Sequence, residues 1–227
     1  MSATLGVLML ETRFPRPPGD IGNARTFAFP VRYRTVEGAS PRRVVVERDR
    51  TLLAPFVAAA IALERDGCDA ITTSCGFLAL FQRELAEAVG VPLWTSSLLL
   101  IAGIEAELAP NERVGIVTVD AASLTAEHLR AVGAPADTPV EGLATESRFR
   151  ATLLDDGNVL DEDEARRATV AAAERLVARR PDVRAIVLEC TNMPPYADAV
   201  RAATRLPVHD LTTLVRSRFG LPAEGSS

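Results

Sequence analysis

Two cysteines follow short apolar runs at corresponding places in the two halves of this 227-residue chain. Cys75 comes after the run ITTS and Cys190 after the run AIVLE, and each run is typical of a buried strand that leads into a helix. A thiolate can remove a proton from a carbon atom, and a neutral thiol can deliver one. Two thiols that face one pocket are therefore suited to moving a proton from one face of a carbon atom to the other.

Ordinary burial is the alternative interpretation of these thiols. Free cysteine is among the residues most often buried in protein cores, where it packs as a small apolar side chain. We prefer a chemical role because both cysteines stand at matching strand ends, where a helix N-terminus lowers the pKa of a thiol. The third cysteine, Cys68, follows a helix-like stretch and Gly67, and we interpret it as structural.

Polar and small residues beside the two cysteines could hold the carboxylate of a small acid, the predicted substrate. They are Thr73, Ser74, Gly76, Thr191 and Asn192. Hydroxyl groups and backbone N–H groups at a helix start can neutralise a carboxylate, which stabilises the carbanion left when the neighbouring proton departs. Structural interpretations exist as well, because threonine is common in buried strands and Asn192 could be the N-cap of a helix beginning near Pro194.

Further candidates stand at predicted strand ends and in turns. Thr118 ends the strand that mirrors the first strand of the chain, which would place it near the same cleft. His209 ends the last strand, and its position is equally consistent with lining the pocket or lying outside it. Asp20 and Glu189 could steer the proton of a cysteine or could be structural. His128 follows a typical helix start and is predicted to lie on the surface.

The absence of lysine excludes several cofactor mechanisms. All 25 basic residues are arginine, so the chain cannot form a lysine Schiff base with pyridoxal phosphate and cannot build a Walker P-loop. With two histidines and three widely spaced cysteines, no metal site is expected. We therefore predict that the chain uses neither a cofactor nor a metal and that its thiols act unaided.

Charge and hydropathy patterning indicate which partners to expect. The net charge of −5, without a basic stripe, argues against nucleic acid. No apolar run approaches the ~20 residues that a membrane span needs, and the apolar start of the chain lacks the basic flank of an export signal. We therefore expect no nucleic-acid or membrane partner and a cytoplasmic protein with reduced thiols.

Strands and helices alternate along the chain, which predicts an α/β fold with parallel sheets. The strands are predicted at Leu5–Leu10, Val31–Val36, Asp69–Thr73, Leu93–Thr95, Val114–Val119, Val183–Leu188 and Pro207–His209. The clearest helices are predicted at Thr51–Asp66, Phe77–Val89 and Glu162–Arg179. The last of these has acids at its start and arginines at its end, an arrangement that the helix dipole favours.

The second half of the chain repeats the first. Cys75 and Cys190 are 115 positions apart, and Pro92 and Pro207, each at a short predicted strand, keep the same spacing. The repeat predicts two pseudo-symmetric α/β lobes, residues 1–102 and 103–209, that face each other across a cleft, and we expect a helix at 210–227 to pack back on the first lobe. Ligands of parallel sheets bind at the carboxyl ends of the strands, where both cysteines stand.

In its motifs and duplicated architecture the chain resembles the aspartate/glutamate/hydantoin racemase superfamily. The motifs are TSCG at 73–76 and ECTN at 189–192. The resemblance implies two Rossmann-like lobes around an active-site cleft, two cysteines that flank the α-carbon of the substrate as bases, and commonly a homodimer. It also implies a carboxylate-binding loop between Phe14 and Phe29, in which Asn23 and Arg25 are the candidates.

The function implied by the resemblance is that of an isomerase. It would be a cofactor-independent racemase or epimerase of an amino acid or a related 2-substituted acid, with Cys75 and Cys190 as its two bases. Gly76 and Phe77 stand where glutamate racemases carry Asn and Thr, so the substrate stays open. Enzymes of the same fold offer two alternatives, a maleate cis-trans isomerase and an arylmalonate decarboxylase. A non-catalytic protein that senses small acids is a third, because a fold alone does not determine function.

Overall fold

The first half of the chain folds into a parallel four-stranded sheet. The computed structural model describes residues 3–219. The strands of this sheet are β1 (Leu5–Leu10), β2 (Val31–Val36), β3 (Ala70–Thr73) and β4 (Leu93–Trp94), in the spatial order β2-β1-β3-β4. The central strands β1 and β3 are almost entirely buried, as their continuous apolar sequences predict.

The second half forms a sheet with the same strand order. Its strands are β5 (Arg113–Thr118), β6 (Val140–Gly142), β7 (Val183–Leu188) and β8 (Val208–His209), in the order β6-β5-β7-β8. Each strand therefore has a counterpart in the first sheet, and the predicted α/β fold with parallel sheets is confirmed. The sequence pattern does not predict β6, because this short strand contains a glutamate and a glycine rather than an apolar run.

Eight α-helices cover the sheets within residues 3–219. They are α1 (Leu53–Arg65), α2 (Gln82–Glu87), α3 (Ile101–Glu107), α4 (Ala126–Ala131), α5 (Arg148–Leu154), α6 (Glu162–Arg179), α7 (Ala197–Thr204) and α8 (Leu211–Arg218). Short 3-10 helices precede four of them, at Arg50–Leu52, Gly76–Phe81, Ser97–Leu100 and Pro194–Tyr196, and one π-helical turn spans Arg42–Val46. The stretch Phe77–Val89, predicted as one helix, divides into a 3-10 part and α2. None of these helices is long and apolar enough to cross a membrane.

Helix α6 has the bounds that its sequence predicts. Asp161 is the N-cap, and its side chain accepts a hydrogen bond from the Glu164 amide at 3.0 Å. The first turn holds three acids and the last turn holds Arg179. Each side-chain charge is opposite in sign to the partial charge at its end of the helix, which stabilises the helix. Local signals are therefore sufficient to determine where this helix begins and ends.

The C-terminal helix α8 packs against the first sheet, so the chain returns to its first lobe after completing the second. The buried residues of this contact include Leu5, Val7, Leu211, Leu214 and Val215. Residues 220–227 of the predicted helix lie outside the described residues. The predicted lobe boundary after residue 102 falls inside α3, and Glu105 of that helix accepts a hydrogen bond from Arg113 of β5 at 3.4 Å.

A glycine stands at the same place in the first strand of each sheet. In β5, a Cβ on Gly115 would lie 2.7 Å from a methyl carbon of Leu176 in α6 and 3.0 Å from Val183. In β1, a Cβ on the corresponding Gly6 would lie 3.1 Å from Leu63 in α1. Both glycines let a helix lie close to its sheet, and the packing is tighter in the second lobe.

Gly115→Ala should destabilise the fold by about 1–3 kcal/mol, because the added methyl group overlaps Leu176 in a close-packed layer. The free energy of unfolding, from denaturant titration followed by circular dichroism, measures the effect. Gly103→Ala is the matched control, since Gly103 is exposed in α3 and nothing lies within 4 Å of its Cβ position. Alanine there should stabilise the helix by up to about 1 kcal/mol. Equal effects at the two glycines would contradict tight packing at Gly115.

Candidate active site

The carboxyl ends of β3 and β7 meet between the lobes and bring both cysteines to one pocket. Cys75 and Cys190 are 8% and 7% exposed. The polar or small lining residues are Ser74, Gly76, Glu189, Thr191 and Asn192. Apolar walls are formed mainly by Leu10, Phe14, Phe77, Val119, Leu153 and Leu154. The cavity of about 30 Å³ is far smaller than typical ligand pockets of ~300–1,000 Å³, so the pocket is narrow around its thiols.

Buried hydrogen bonds between the lobes hold one strand end against the other. Thr191 Oγ1 donates to the carbonyl oxygen of Ser74 at 2.6 Å, and Ser97 Oγ donates to that of Leu188 at 2.8 Å. These bonds satisfy polar atoms that would be costly to leave unpaired away from water. The relative position of the two cysteine-bearing segments is therefore determined by backbone as well as side-chain atoms.

The lobes approach each other most tightly at Gly76 and Glu189, directly after Cys75 and directly before Cys190. A Cβ on Gly76 would lie closer than 3.0 Å to both Oε1 and the carbonyl oxygen of Glu189. A residue without a side chain is required here, because the carbonyl oxygen of Glu189 belongs to the backbone and cannot move aside as a flexible side chain could. Gly76 therefore sets how near the two strand ends can lie.

Glu189 is a fully buried carboxyl group of which only one oxygen atom is hydrogen-bonded. Thr118 Oγ1 donates to Oε2 at 2.7 Å, while Oε1 has no hydrogen-bond partner within residues 3–219. Burial raises the pKa of Glu189 to about 7, and the Thr118 hydrogen bond opposes this shift. Near neutral pH the carboxyl group is therefore only partly ionised, unlike a glutamate on the surface.

The two thiols resist ionisation in the pocket as it stands. Burial raises the pKa of Cys75 to about 12, and the nearby Glu189 carboxylate adds to the shift. The backbone N–H groups of Phe77 and Leu78 oppose it. Burial and Glu189 likewise raise the pKa of Cys190 well above its ordinary value. Both cysteines are therefore neutral thiols at neutral pH, and a thiolate would need a positive charge beside it.

A buried chain of contacts leads from Cys190 to an arginine. Cys190 Sγ donates to Asn192 Oδ1 at 3.5 Å, and Asn192 Nδ2 donates to Asp20 Oδ2 at 2.6 Å. Arg16 Nη1 then donates to Asp20 Oδ1 at 2.9 Å, and both side chains of this ion pair are buried. Sequence reasoning does not find Arg16, because it lies among other arginines in a proline-rich segment and only the folding of the loop buries it.

Four of the predicted binding residues line the pocket and two lie behind it. Ser74, Gly76, Thr191 and Asn192 are lining residues. Thr73 lies deeper, where its Oγ1 donates to the carbonyl oxygen of Thr95 at 2.7 Å. Thr118 lies behind Glu189 and donates a hydrogen bond to its carboxyl group. Asn192 is not the N-cap of the following 3-10 helix, whose N-cap is Met193, so its side chain is free for the contacts with Cys190 and Asp20.

The remaining predicted binding residues lie outside the pocket. Asn23 stabilises its own loop, since its side chain donates to the Arg16 carbonyl oxygen at 2.7 Å and accepts from the Arg25 amide at 2.8 Å. Arg25 itself is exposed. His209 lines a separate groove of about 300 Å³ beside α7 and α8. Asn23 and Arg25 lie outside the pocket because their loop is bound by its own side chains, and His209 lies outside it because β8 is the edge strand of its sheet.

The prediction that His128 lies on the surface is wrong. His128 is fully buried, its Nδ1 accepts a hydrogen bond from the Thr125 amide at 3.1 Å, and its ring contacts the edge of Phe77 with a centroid distance of 5.3 Å. Burial lowers its pKa to about 4, and Arg48 contributes in the same direction. The histidine therefore caps the start of α4 as a neutral side chain behind the wall of the pocket.

No model of a known protein family matches the chain, whereas individual curated proteins do. The chain is 32% identical over 216 residues to the dimethylsulfoniopropionate lyase of Durusdinium sp. clade D, covering 92% of this chain and 71% of that protein. It is 32% identical over 225 residues to dimethylsulfoniopropionate lyase 3 of Emiliania huxleyi, covering 94% of this chain and 58% of that protein. This chain belongs to the dimethylsulfoniopropionate lyase family.

Solved structures show that this lyase-family chain has the fold of the aspartate/glutamate racemase superfamily. Unliganded arylmalonate decarboxylase superimposes with a TM-score of 0.63 at 17% identity, covering 100% of this chain and 94% of that one. The aspartate racemase of Picrophilus torridus superimposes with a TM-score of 0.55 at 13% identity, covering 98% and 96% of the two chains. The predicted resemblance to the racemase superfamily is therefore confirmed for the fold.

The predicted activity is wrong. The family relatives are lyases. This finding overturns the predicted racemase or epimerase activity and the predicted isomerase class. It also overturns the three alternative functions, namely a maleate isomerase, an arylmalonate decarboxylase and a small-acid sensor. The physical reason is that removing a proton beside a carboxylate begins both racemisation and elimination, so a cysteine motif cannot distinguish them. Whether elimination follows depends on a leaving group in the substrate. The homodimer, the cytoplasmic location and the absence of nucleic-acid partners stay predictions.

Cys75 should be alkylated by iodoacetamide about 10³-fold more slowly at pH 8 than an exposed cysteine, because its raised thiol pKa leaves little thiolate. Cys190 should also be alkylated more slowly than that exposed cysteine, since its pKa is raised as well. Quantitative mass spectrometry of the labelled peptides measures both rates. Ala102→Cys supplies an exposed reference thiol on α3 in the same chain. Labelling of Cys75 or Cys190 as fast as that reference would contradict the raised pKa values.

Proposed function

We propose that this chain is a lyase that cleaves dimethylsulfoniopropionate into dimethyl sulfide and acrylate by β-elimination. The observation that carries the proposal is 32% identity to the Durusdinium dimethylsulfoniopropionate lyase over 92% of this chain. The chain spans 71% of that lyase but 58% of two Emiliania lyases that it also matches. The shared sequence supports a shared reaction, and the pocket between the cysteines contains groups able to perform it.

The reaction requires one base and a place for a leaving group. The base removes a proton from the carbon beside the carboxylate, and that electron pair forms the double bond of acrylate. The bond from the β-carbon to sulfur breaks at the same time, and its electron pair leaves with sulfur as neutral dimethyl sulfide. The proton remains on the base until it is released to water. No electron is gained or lost overall, so the step needs acid–base chemistry rather than redox chemistry.

Cys190 is the base in this proposal. Burial raises its pKa, but the Asn192 backbone N–H opposes the shift and would stabilise a thiolate. Once the thiolate has taken a proton, Sγ can donate to Asn192 Oδ1, a contact of 3.5 Å that Asp20 supports from the other side. Within residues 3–219, no comparable hydrogen-bond acceptor faces the sulfur of Cys75. Cys190 therefore has partners for both of its protonation states.

The carboxylate of the substrate is expected to lie against Ser74 and the segment after Cys190. Ser74 Oγ accepts the Leu10 amide at 2.9 Å, which leaves its hydroxyl hydrogen able to donate to a ligand in the pocket. Thr191 is less suitable, because its hydroxyl hydrogen is already donated to the Ser74 carbonyl oxygen. A small carboxylic acid stays the expected ligand, as the sequence predicts.

The pocket must widen to admit this substrate. A cavity of about 30 Å³ is well below the ~300 Å³ at the lower end of ligand pockets, and dimethylsulfoniopropionate needs more room than this. Two walls belong to short segments at the mouth: Pro41 and Val45 at the π-helical turn, and Leu153 and Leu154 at the end of α5. Isolated π-helical turns occur frequently at functional sites. Outward movement of these segments would make room without separating the two lobes.

The purified chain should release dimethyl sulfide and acrylate in equal amounts from dimethylsulfoniopropionate, measured by headspace gas chromatography and liquid chromatography. Cys190→Ser should lower kcat/KM by about 10²–10⁴-fold, the usual contribution of a general base. Cys75→Ser should retain more activity, because an elimination needs a single base. Cys68→Ser is the matched control, since this third thiol is buried outside the pocket.

Two results would overturn these assignments. Failure to form either product across the neutral and mildly alkaline range, with a folded chain, would exclude the lyase activity. Full activity in Cys190→Ser together with loss of activity in Cys75→Ser would exclude Cys190 as the base while leaving the elimination itself intact.

A further inference from the structure

We infer that the Glu189 carboxylate is the counter-charge for the cationic group of the substrate, so that the pocket selects propionates that carry a methylated onium group. This inference rests on the proposed function and deepens it by assigning the residue that determines substrate class. It concerns recognition rather than proton transfer, and it can be tested with ligands that are not cleaved.

Glu189 is a fixed carboxyl group without a positively charged partner. The side chain is fully buried and lines the pocket, and Thr118 Oγ1 holds Oε2 at 2.7 Å. The other oxygen, Oε1, is buried without a hydrogen-bond partner within residues 3–219 and lies where it would overlap a Cβ on Gly76. One half of the carboxylate is therefore anchored, and the other half lacks a group that would balance its charge.

The charges around the pocket do not neutralise Glu189. The buried ion pair behind Asn192 joins Arg16 to Asp20, with their side chains 9% and 1% exposed, so the arginine already has its carboxylate. None of the ion pairs among residues 3–219 includes Glu189. A buried carboxylate without a cation is costly, and such groups are concentrated at functional sites, where the ligand supplies the missing charge.

The walls of the pocket favour methyl groups over N–H groups on that cation. Leucine, valine and phenylalanine side chains form the apolar walls, including Phe14 and Phe77. A primary ammonium group would need three hydrogen-bond acceptors, of which Glu189 Oε1 could supply one. A methylated onium group needs none, is compatible with apolar walls and aromatic faces, and is attracted by the carboxylate. The lining therefore suits a sulfonium better than the ammonium of an amino acid.

The same counter-charge connects substrate binding to the reactivity of the thiols. The negative charge of Glu189 is one of the causes that raise the pKa values of Cys75 and Cys190, after burial itself. A cation placed against Glu189 offsets this contribution, so a thiolate costs less in the occupied pocket than in the empty one. Substrates without a cationic group would leave the thiols protonated.

The test compares two ligands of nearly the same shape by isothermal titration calorimetry. The ligand with a cationic group, called the cationic ligand here, is the zwitterion 3-(trimethylammonio)propanoate. Its counterpart is the anion 4,4-dimethylpentanoate, in which carbon replaces the charged nitrogen. The unsubstituted chain should bind the cationic ligand about 10- to 100-fold more tightly. Glu189→Gln keeps the shape of the side chain and should abolish this preference, and it should raise the KM for dimethylsulfoniopropionate.

Two further variants separate charge from structure. Glu141→Gln makes the same substitution at a buried carboxylate in β6 that is paired with Arg175 outside the pocket, and it should leave the preference unchanged. Thr118→Val removes the hydrogen bond that anchors Glu189 and opposes the rise of its pKa, so the preference for the cationic ligand should weaken near neutral pH and recover at higher pH, where the carboxyl group ionises.

The outcomes distinguish this inference from the proposed function. Equal affinity for the two ligands in the unsubstituted chain, or a preference that persists in a folded Glu189→Gln variant, would overturn the inference. A fall in kcat alone in that variant, with the binding preference intact, would also overturn it by making Glu189 a proton-transfer group. A clear preference for the cationic ligand in a chain that cleaves no dimethylsulfoniopropionate would uphold the inference and reject the proposed reaction.

Discussion

The close approach of Gly76 to Glu189 is the constraint on which the rest of the site depends. Each of these residues adjoins one of the two pocket cysteines, and a Cβ on Gly76 would overlap both the side chain and the carbonyl oxygen of Glu189. Because the lobes pack this tightly, the carboxyl ends of β3 and β7 share one small pocket instead of opening into separate grooves. The inter-lobe hydrogen bond from Thr191 to Ser74 is compatible only with the same separation.

Burial then determines the chemistry that the pocket can support. Two thiols and one carboxyl group are enclosed by apolar walls, and the pKa values of all three are raised, chiefly by the loss of water. Such a site disfavours negative charge when it is empty and favours a ligand that brings positive charge. A zwitterion with a sulfonium group meets that requirement, and the sulfonium is also the leaving group of an elimination. Recognition and reactivity can thus depend on the same charge in the substrate.

Sequence reasoning succeeded where a pattern is local or repeated. The strands β1, β2 and β7 and the helix α6 have their predicted bounds, because apolar runs and capping residues are read directly from the chain. It failed where burial depends on neighbours that are distant in sequence. His128 follows a polar helix start but is covered by Phe77 from the other lobe, and Arg16 looks like any loop arginine until Asp20 and the fold enclose it.

By itself, the sequence determined the duplicated α/β architecture through its periodicity, and the place of Cys75 and Cys190 at matching strand ends through their spacing. Its composition, which lacks lysine, excluded lysine-dependent cofactors. Only the tertiary structure decided that Asn23, Arg25 and His209 lie outside the pocket and that Glu189 lines it with an unpaired oxygen atom. The physical reason is that desolvation and charge balance arise from contacts between the two lobes. No segment of the chain contains those contacts before the lobes meet.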